Sequence, residues 1–159
     1  EEFPEIRFII HGKGSLENHI REHIGKSCLD GKVSVVSDPV PAEKILPLLD
    51  IFMLCSYSEG LSTALVSAIA AGIPSVASDT GGIPEVLAGG AGMLARTGDE
   101  DDLFSAAREL IENPAKREEL SVNGKRRSRE FDISKTVERT YEIYGSLAEE
   151  DERADNDRY

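Results

Sequence analysis

The chain of 159 residues is poor in cysteine, in basic residues and in long apolar runs. Its two cysteines, Cys28 and Cys55, stand too far apart for a metal knuckle or a redox pair. They read as small hydrophobes of a reducing compartment, which makes the cytoplasm the expected location. Basic residues number 18 against 30 acidic ones, a formal charge of −12. That balance repels polyphosphate at long range and argues against a general nucleic-acid binder. No run approaches the roughly 20 apolar residues of a membrane span. Glu1-Glu2-Phe3-Pro4 has neither the basic nor the apolar region of a signal peptide. These first residues read as the lead-in to a strand without an initiating methionine, so a segment of a longer protein is expected.

What the chain does have is length for one real core, since a chain of this size buries about 70% of its unfolded surface. One domain over residues 1–148 is expected, followed by a charged, disordered tail at 149–159. Short apolar runs at Ile6 to His11, Val33 to Val36, Ile51 to Ser56, Ser75 to Ser78 and Ala91 to Ala95 read as buried strands. Between them lie helical stretches at Ser15 to Lys26, Pro41 to Leu49, Leu61 to Ala71 and Ile83 to Ala88. Continuously apolar strands alternating with helices predict an α/β fold, a doubly wound parallel sheet covered on both faces. From Asp99 onward only helices are expected: Asp99 to Ile111, Ala115 to about Phe131, and one from Ser134 with Val137, Tyr141, Tyr144 and Leu147 as its apolar stripe.

Three strand-to-helix turns carry glycine. His11-Gly12-Lys13-Gly14-Ser15 offers two glycines and a cation, but as a lone G-x-G it reads equally well as a tight turn. Tyr57-Ser58-Glu59-Gly60 leads into the Leu61 helix, so the amides of Leu61, Ser62 and Thr63, with two hydroxyls, are candidates for holding a diphosphate. A plain connection with a helix cap is the competing reading. Asp79-Thr80-Gly81-Gly82-Ile83-Pro84-Glu85 reads first as turn-shaping. All three fall at the carboxyl edge of the sheet, where open α/β folds bind ligands.

Other candidates carry less. His19 and His23 share a helix face but lack a third ligand at metal spacing, so no metal site is expected. Lys116, Arg117, Lys125, Arg126, Arg127 and Arg129 form a basic cluster diluted by Glu118, Glu119 and Glu130. A solvated helical hairpin is the plainer reading, with peripheral contact to an anionic membrane surface the other.

The stretch Ser56 to Leu87, SYSEGLSTALVSAIAAGIPSVASDTGGIPEVL, resembles the core of the family 4 retaining glycosyltransferases. The matching pieces are Glu59-Gly60-Leu61, Ala71-Gly72-Ile73-Pro74, Ser75-Val76-Ala77 and Gly81-Gly82-Ile83-Pro84-Glu85, in that order. A looser likeness extends over about Pro4 to Leu147. The resemblance implies the donor-binding, Rossmann-like half of a two-domain GT-B enzyme, with a nucleoside diphosphate (NDP) sugar as substrate and no required cofactor or metal. It places the diphosphate at Leu61, Ser62 and Thr63, Glu59 on the sugar hydroxyls as the catalytic-site carboxylate, and Gly12, Lys13 and Gly14 nearby. A missing N-terminal domain would bind the sugar, lipid-linked or small-molecule acceptor, and UDP-sugar or GDP-sugar are the donors to expect.

Two departures stand out. The family's second glutamate, eight positions after the first and directed at the ribose, is Ser67 here. A hydroxyl makes one hydrogen bond where a carboxylate accepts two. The family's arginine and lysine precede the segment where this sequence starts. Beside a transferase donor site stands a second expectation, a degenerate domain acting as a scaffold or binding module.

Overall fold

The computed structural model describes residues 3–156. They divide into two compact units, with the boundary between Ile45 and Leu46.

In the first unit β1 (Phe8–His11) pairs in parallel with β2 (Val33–Val36), Phe8 opposite Val33 and His11 opposite Val36. The helix between them, α1 (Glu17–Lys26), is tied to β2 by Arg21, whose Nη2 donates to the Val35 carbonyl at 3.2 Å. α1 ends with Cys28 in the left-handed region at φ 54°. There the Leu29 amide returns to the Ile24 carbonyl at 3.1 Å, a helix stop that ordinarily takes glycine. A short helix, α2 (Ala42–Ile45), closes the unit. β1 is not the buried strand expected from its composition: Phe8 and Ile10 are exposed. So few residues bury little apolar surface, and Ile24 is the one buried hydrophobic among the described residues of this unit. Both cysteines are free and exposed residues, although partial desolvation still pushes the Cys55 thiol up from its ordinary value.

The second unit opens with a 3-10 turn, Leu46–Leu48, and builds a parallel sheet in the order β3 (Phe52–Leu54), β4 (Ser75–Ser78), β5 (Met93–Ala95). Every residue of β4 is buried, and alternation along the strand sends neighbours to opposite faces. Ala77 packs with Leu65 and Ile69 of α3 (Thr63–Ala70) and with Ile83 and Val86 of α4 (Ile83–Val86). Val76 packs on the other face with Ala106 and Leu110 of α5 (Glu100–Glu112) and Leu120 of α6 (Pro114–Ser128). Helices on both faces explain why β4 is buried along its whole length, including the serines at its two ends; the Ser75 hydroxyl donates to the Ile73 carbonyl at 2.9 Å.

α3 stops where Gly72 takes φ 78°, with the Ile73 amide on the Ala68 carbonyl at 3.0 Å and Ile73 packed on Ala68 and Leu46. In α6, Gly124 lets the helix lie against Ile69, whose Cβ would be 3.2 Å from an added methyl. Two members of the basic cluster are structural: Arg117 donates to the carbonyls of Leu110 and Ile111, and Arg127 donates to the Glu85 carbonyl and lies over the Phe131 ring.

α7 runs from Ile133 to Asn156, past Leu147 and through most of the stretch expected to be a tail. Alanine, glutamate and arginine, good helix formers, dominate 148–154, so the backbone continues helical despite the lack of apolar residues. The last three residues of the expected tail lie outside the described residues. Val137, Tyr141, Tyr144 and Leu147 are exposed along this helix. No helix among the described residues is long and apolar enough to cross a membrane.

At the start of α5, Asp99 is the N-cap, accepting from the Asp102 amide at 2.9 Å. Asp102 Oδ2 in turn accepts from the Arg96 amide at 2.7 Å, joining the end of β5 to α5. That backbone amide, helped by the Arg96 guanidinium and opposed by desolvation, holds the Asp102 carboxyl below its ordinary value. A lowered native value gives stability that is present above the ordinary carboxylate pKa and is lost as pH falls through the native one. Asp102→Asn is therefore expected to lower the urea midpoint at pH 7, by an amount that shrinks below about pH 4. An offset that stays constant from pH 7 to pH 3 would refute the linkage.

Candidate functional site

β3 ends at Leu54, and the chain turns through Ser56-Tyr57-Ser58-Glu59-Gly60-Leu61 before α3 begins. Ser62 is the N-cap: it is extended, buried, and its hydroxyl accepts from the Leu65 amide at 3.4 Å. The first bond of the helix runs from the Val66 amide to the Ser62 carbonyl at 3.0 Å. Leu65 is thus capped, while the amides of Thr63 and Ala64 have no acceptor in the chain among the described residues. Both residues are exposed, so an anion can reach these amides with the positive end of the helix dipole behind them.

This differs from the sequence reading in register. α3 starts at Thr63, not Leu61, because serine is the strong cap former in Leu61-Ser62-Thr63. The Ser62 hydroxyl is thereby used within the protein, and Ala64 joins Thr63 at the open start of the helix. Ala64 was missed; the available signal was the cap serine three residues before the buried Leu65. Leu61 is exposed beside them, and Ser67 lies half-buried one turn along α3.

The Glu59 turn is held from behind by the turn after β4. Gly81, at φ 53°, lies so close that an added Cβ would fall on the Glu59 carbonyl oxygen, and one on Gly82 would meet the Gly60 oxygen at 2.7 Å. The Gly82 amide donates to the Glu59 carbonyl at 3.4 Å, and the Thr80 hydroxyl donates to the Tyr57 carbonyl at 3.1 Å. Beyond it a third loop braces the second: the Thr97 hydroxyl donates to the Asp79 carbonyl at 2.8 Å, and the Asp79 amide to the Ala95 carbonyl at 2.7 Å. Gly98 lies under the Tyr57 ring, where a Cβ would be 3.2 Å from Cε1. Glu59 itself is half-buried, and Ser56 Oγ donates to its Oε2 at 3.0 Å.

Gly12, Lys13 and Gly14 belong to the first unit, and all three are exposed. Gly12 has φ 149°, and together with Ile10, Leu16, Ile20 and Val35 the turn borders an open depression of about 240 Å³. No group of three or more metal-ligating side chains converges among the described residues.

The glycine-backed Glu59 turn thus runs into a capped helix at the carboxyl edge of a parallel α/β sheet, the edge at which open α/β folds bind ligands. The sequence profile of the family Glycosyl transferases group 1 matches residues 1–127, and the chain belongs to that family. It is 26% identical over 158 residues to the putative glycosyltransferase EpsD of Bacillus subtilis, covering 95% of this chain and 40% of EpsD. It is 32% identical over 114 residues to the N-acetyl-alpha-D-glucosaminyl L-malate synthase of Bacillus anthracis, covering 68% of this chain and 29% of that protein. Among solved structures, Anabaena HepE in complex with UDP-glucose superposes with a TM-score of 0.82 at 22% identity, covering 90% of this chain and 42% of HepE. The sucrose-phosphate synthase of Thermosynechococcus elongatus gives 0.78 at 17% identity, covering 90% and 46%. The fold is that of the GT-B glycosyltransferases. The chain spans less than half the length of each of these relatives.

The close approach of the two turns leads to a test. Gly81→Ala should destabilise the chain by about 1–3 kcal/mol, because the new methyl meets the Glu59 carbonyl with no side chain able to give way. An unchanged thermal midpoint would mean that the turns are not packed backbone to backbone.

Proposed function

We propose that this chain is the donor-binding half of a retaining glycosyltransferase that moves a hexose-type sugar from an NDP-sugar to an acceptor. The observation that carries the reading is the start of α3, which the Glu59 turn leads into and where the amides of Thr63 and Ala64 have no acceptor among the described residues. When the anomeric C–O bond of a donor breaks, its electron pair goes to the β-phosphate oxygen and the leaving diphosphate gains negative charge. Amides already fixed at a helix start stabilise that charge without reorganising, and the nearby carboxylate accepts from sugar hydroxyls. The amides do this without a metal ion. The acceptor is bound by the portion of the relatives' length that this chain does not span. UDP-sugars are the first donors to try, because the HepE structures hold UDP and UDP-glucose.

Titration calorimetry of the full-length protein with UDP, GDP and ADP, and with their glucose and mannose derivatives, is expected to show binding that persists in EDTA. Binding by none of them would sink the donor site, and binding abolished by EDTA would sink the metal-free reading.

Ser67 favours a second reading, a domain that has lost donor binding and serves as a scaffold. The two diverge at Ser67→Glu. If the site is genuine, a carboxylate one turn along α3 should tighten nucleotide binding about tenfold through charge-assisted bonds to the ribose. Under the scaffold reading neither protein binds.

A further inference from the structure

We propose that Ser56 is a positioning residue that sets the Glu59 carboxylate for the donor's sugar, an assignment that rests on the donor-site reading above. Two separate devices act on Glu59. Its backbone lies against the Gly81-Gly82 turn, which comes so close that no Cβ fits at Gly81 and which donates the Gly82 amide to the Glu59 carbonyl. Nothing in that device touches the carboxylate, which sits at the end of three rotatable bonds.

Ser56 supplies the second device. Its hydroxyl, half-buried just beyond the end of β3, donates to Glu59 Oε2 at 3.0 Å. Among the described residues no lysine, arginine or histidine forms an ion pair with Glu59, so this hydroxyl is its one side-chain partner. The difference matters chemically. A paired cation would occupy the carboxylate with several strong donors, whereas a single hydroxyl has one proton to give. With Oε2 engaged once, Oε1 and the remaining lone pairs stay available to accept from sugar hydroxyls. The side chain is held in one orientation while its accepting capacity is kept. Because Ser67 cannot act as a second carboxylate, the orientation of Glu59 carries more of the donor's recognition here than it would in a two-carboxylate site.

Ser56 therefore acts on the sugar and not on the nucleotide, and that is the distinction to measure. In the full-length protein, affinities of Ser56→Ala, Ser56→Thr, Glu59→Ala and the Ser56→Ala/Glu59→Ala double variant are compared for UDP and for UDP-glucose, or for the corresponding GDP or ADP pair if the wild type prefers that base. Thermal midpoints run alongside confirm that each variant is folded. Ser56→Ala is expected to weaken UDP-glucose binding about fivefold while UDP binding stays within about twofold of wild type. Ser56→Thr, which keeps the hydroxyl, should restore the wild-type ratio. In the Glu59→Ala background the serine substitution should have no further effect, because the carboxylate it positions is gone. Equal losses for UDP and UDP-glucose, or an undiminished Ser56→Ala effect without Glu59, overturn the assignment while leaving the donor site standing. A wild-type protein that binds none of the three nucleotides or their sugars overturns both.

Discussion

The second unit depends on one close approach, that of Gly81-Gly82 to the backbone of Glu59-Gly60. Two chain segments meet there with no side chain between them, which only glycine permits at Gly81, where a methyl would fall on a carbonyl oxygen. The contact fixes the height of the Glu59 turn above the sheet and, through it, the point at which α3 can start. Thr80 adds a hydroxyl bond to the Tyr57 carbonyl, and the loop after β5 holds Asp79 through Thr97. Three successive crossings from strand to helix are therefore stacked, each leaning on the next, and the Glu59 turn lies at the end of the stack.

That stack stands on a strand with no freedom of its own. β4 is buried at all four residues, with α3 and α4 against Ala77 and α5 and α6 against Val76. Close-packed interiors transmit small displacements instead of absorbing them, so the carboxyl end of β4 is a firm reference point for Asp79 and the glycines that follow. The first unit is built differently. With Ile24 as its one buried hydrophobic among the described residues and Phe8 and Ile10 exposed, its strands are set by the ladder and by Arg21 more than by a core of their own.

Much of this was legible in the sequence. β2 and β4 have the bounds that Val33 to Val36 and Ser75 to Ser78 suggest, because each apolar run is closed by turn residues. The end of α3 is written in Ala71-Gly72, where glycine is needed at φ 78°. Its beginning was harder to read. Gly60-Leu61-Ser62-Thr63 offers several places for a helix to start, and choosing among them requires knowing that Ser62 turns inward as a cap while Leu61 stays outside. The brace on Glu59 was not legible at all, since it joins residues that only the tertiary fold brings together. Burial of β1 was overestimated for a related reason: apolar composition reports what a strand can bury, and the surroundings decide what it does bury. In the far helix, charged residues that cannot build a core still favour helix, and α7 continues to Asn156.

The proposed donor site sets the net charge of the chain against the charge of its ligand. A chain of net charge −12 is a poor host for a diphosphate if charges are simply summed. Screening limits that sum, since exposed charges farther away than about 8 Å act weakly at physiological salt. What remains is local, and locally the start of α3 presents amides at Thr63 and Ala64 that have no acceptor among the described residues, with no acidic residue in its first turn. α5 is the contrast within the same molecule: its first turn carries Glu100, Asp101 and Asp102, with Asp99 and Asp102 bonded into the helix start, so its dipole is answered by the protein's own carboxylates. Two helices of one chain thus begin in opposite ways. The helix whose first turn carries no acidic residue is the one that the glycine stack holds in place.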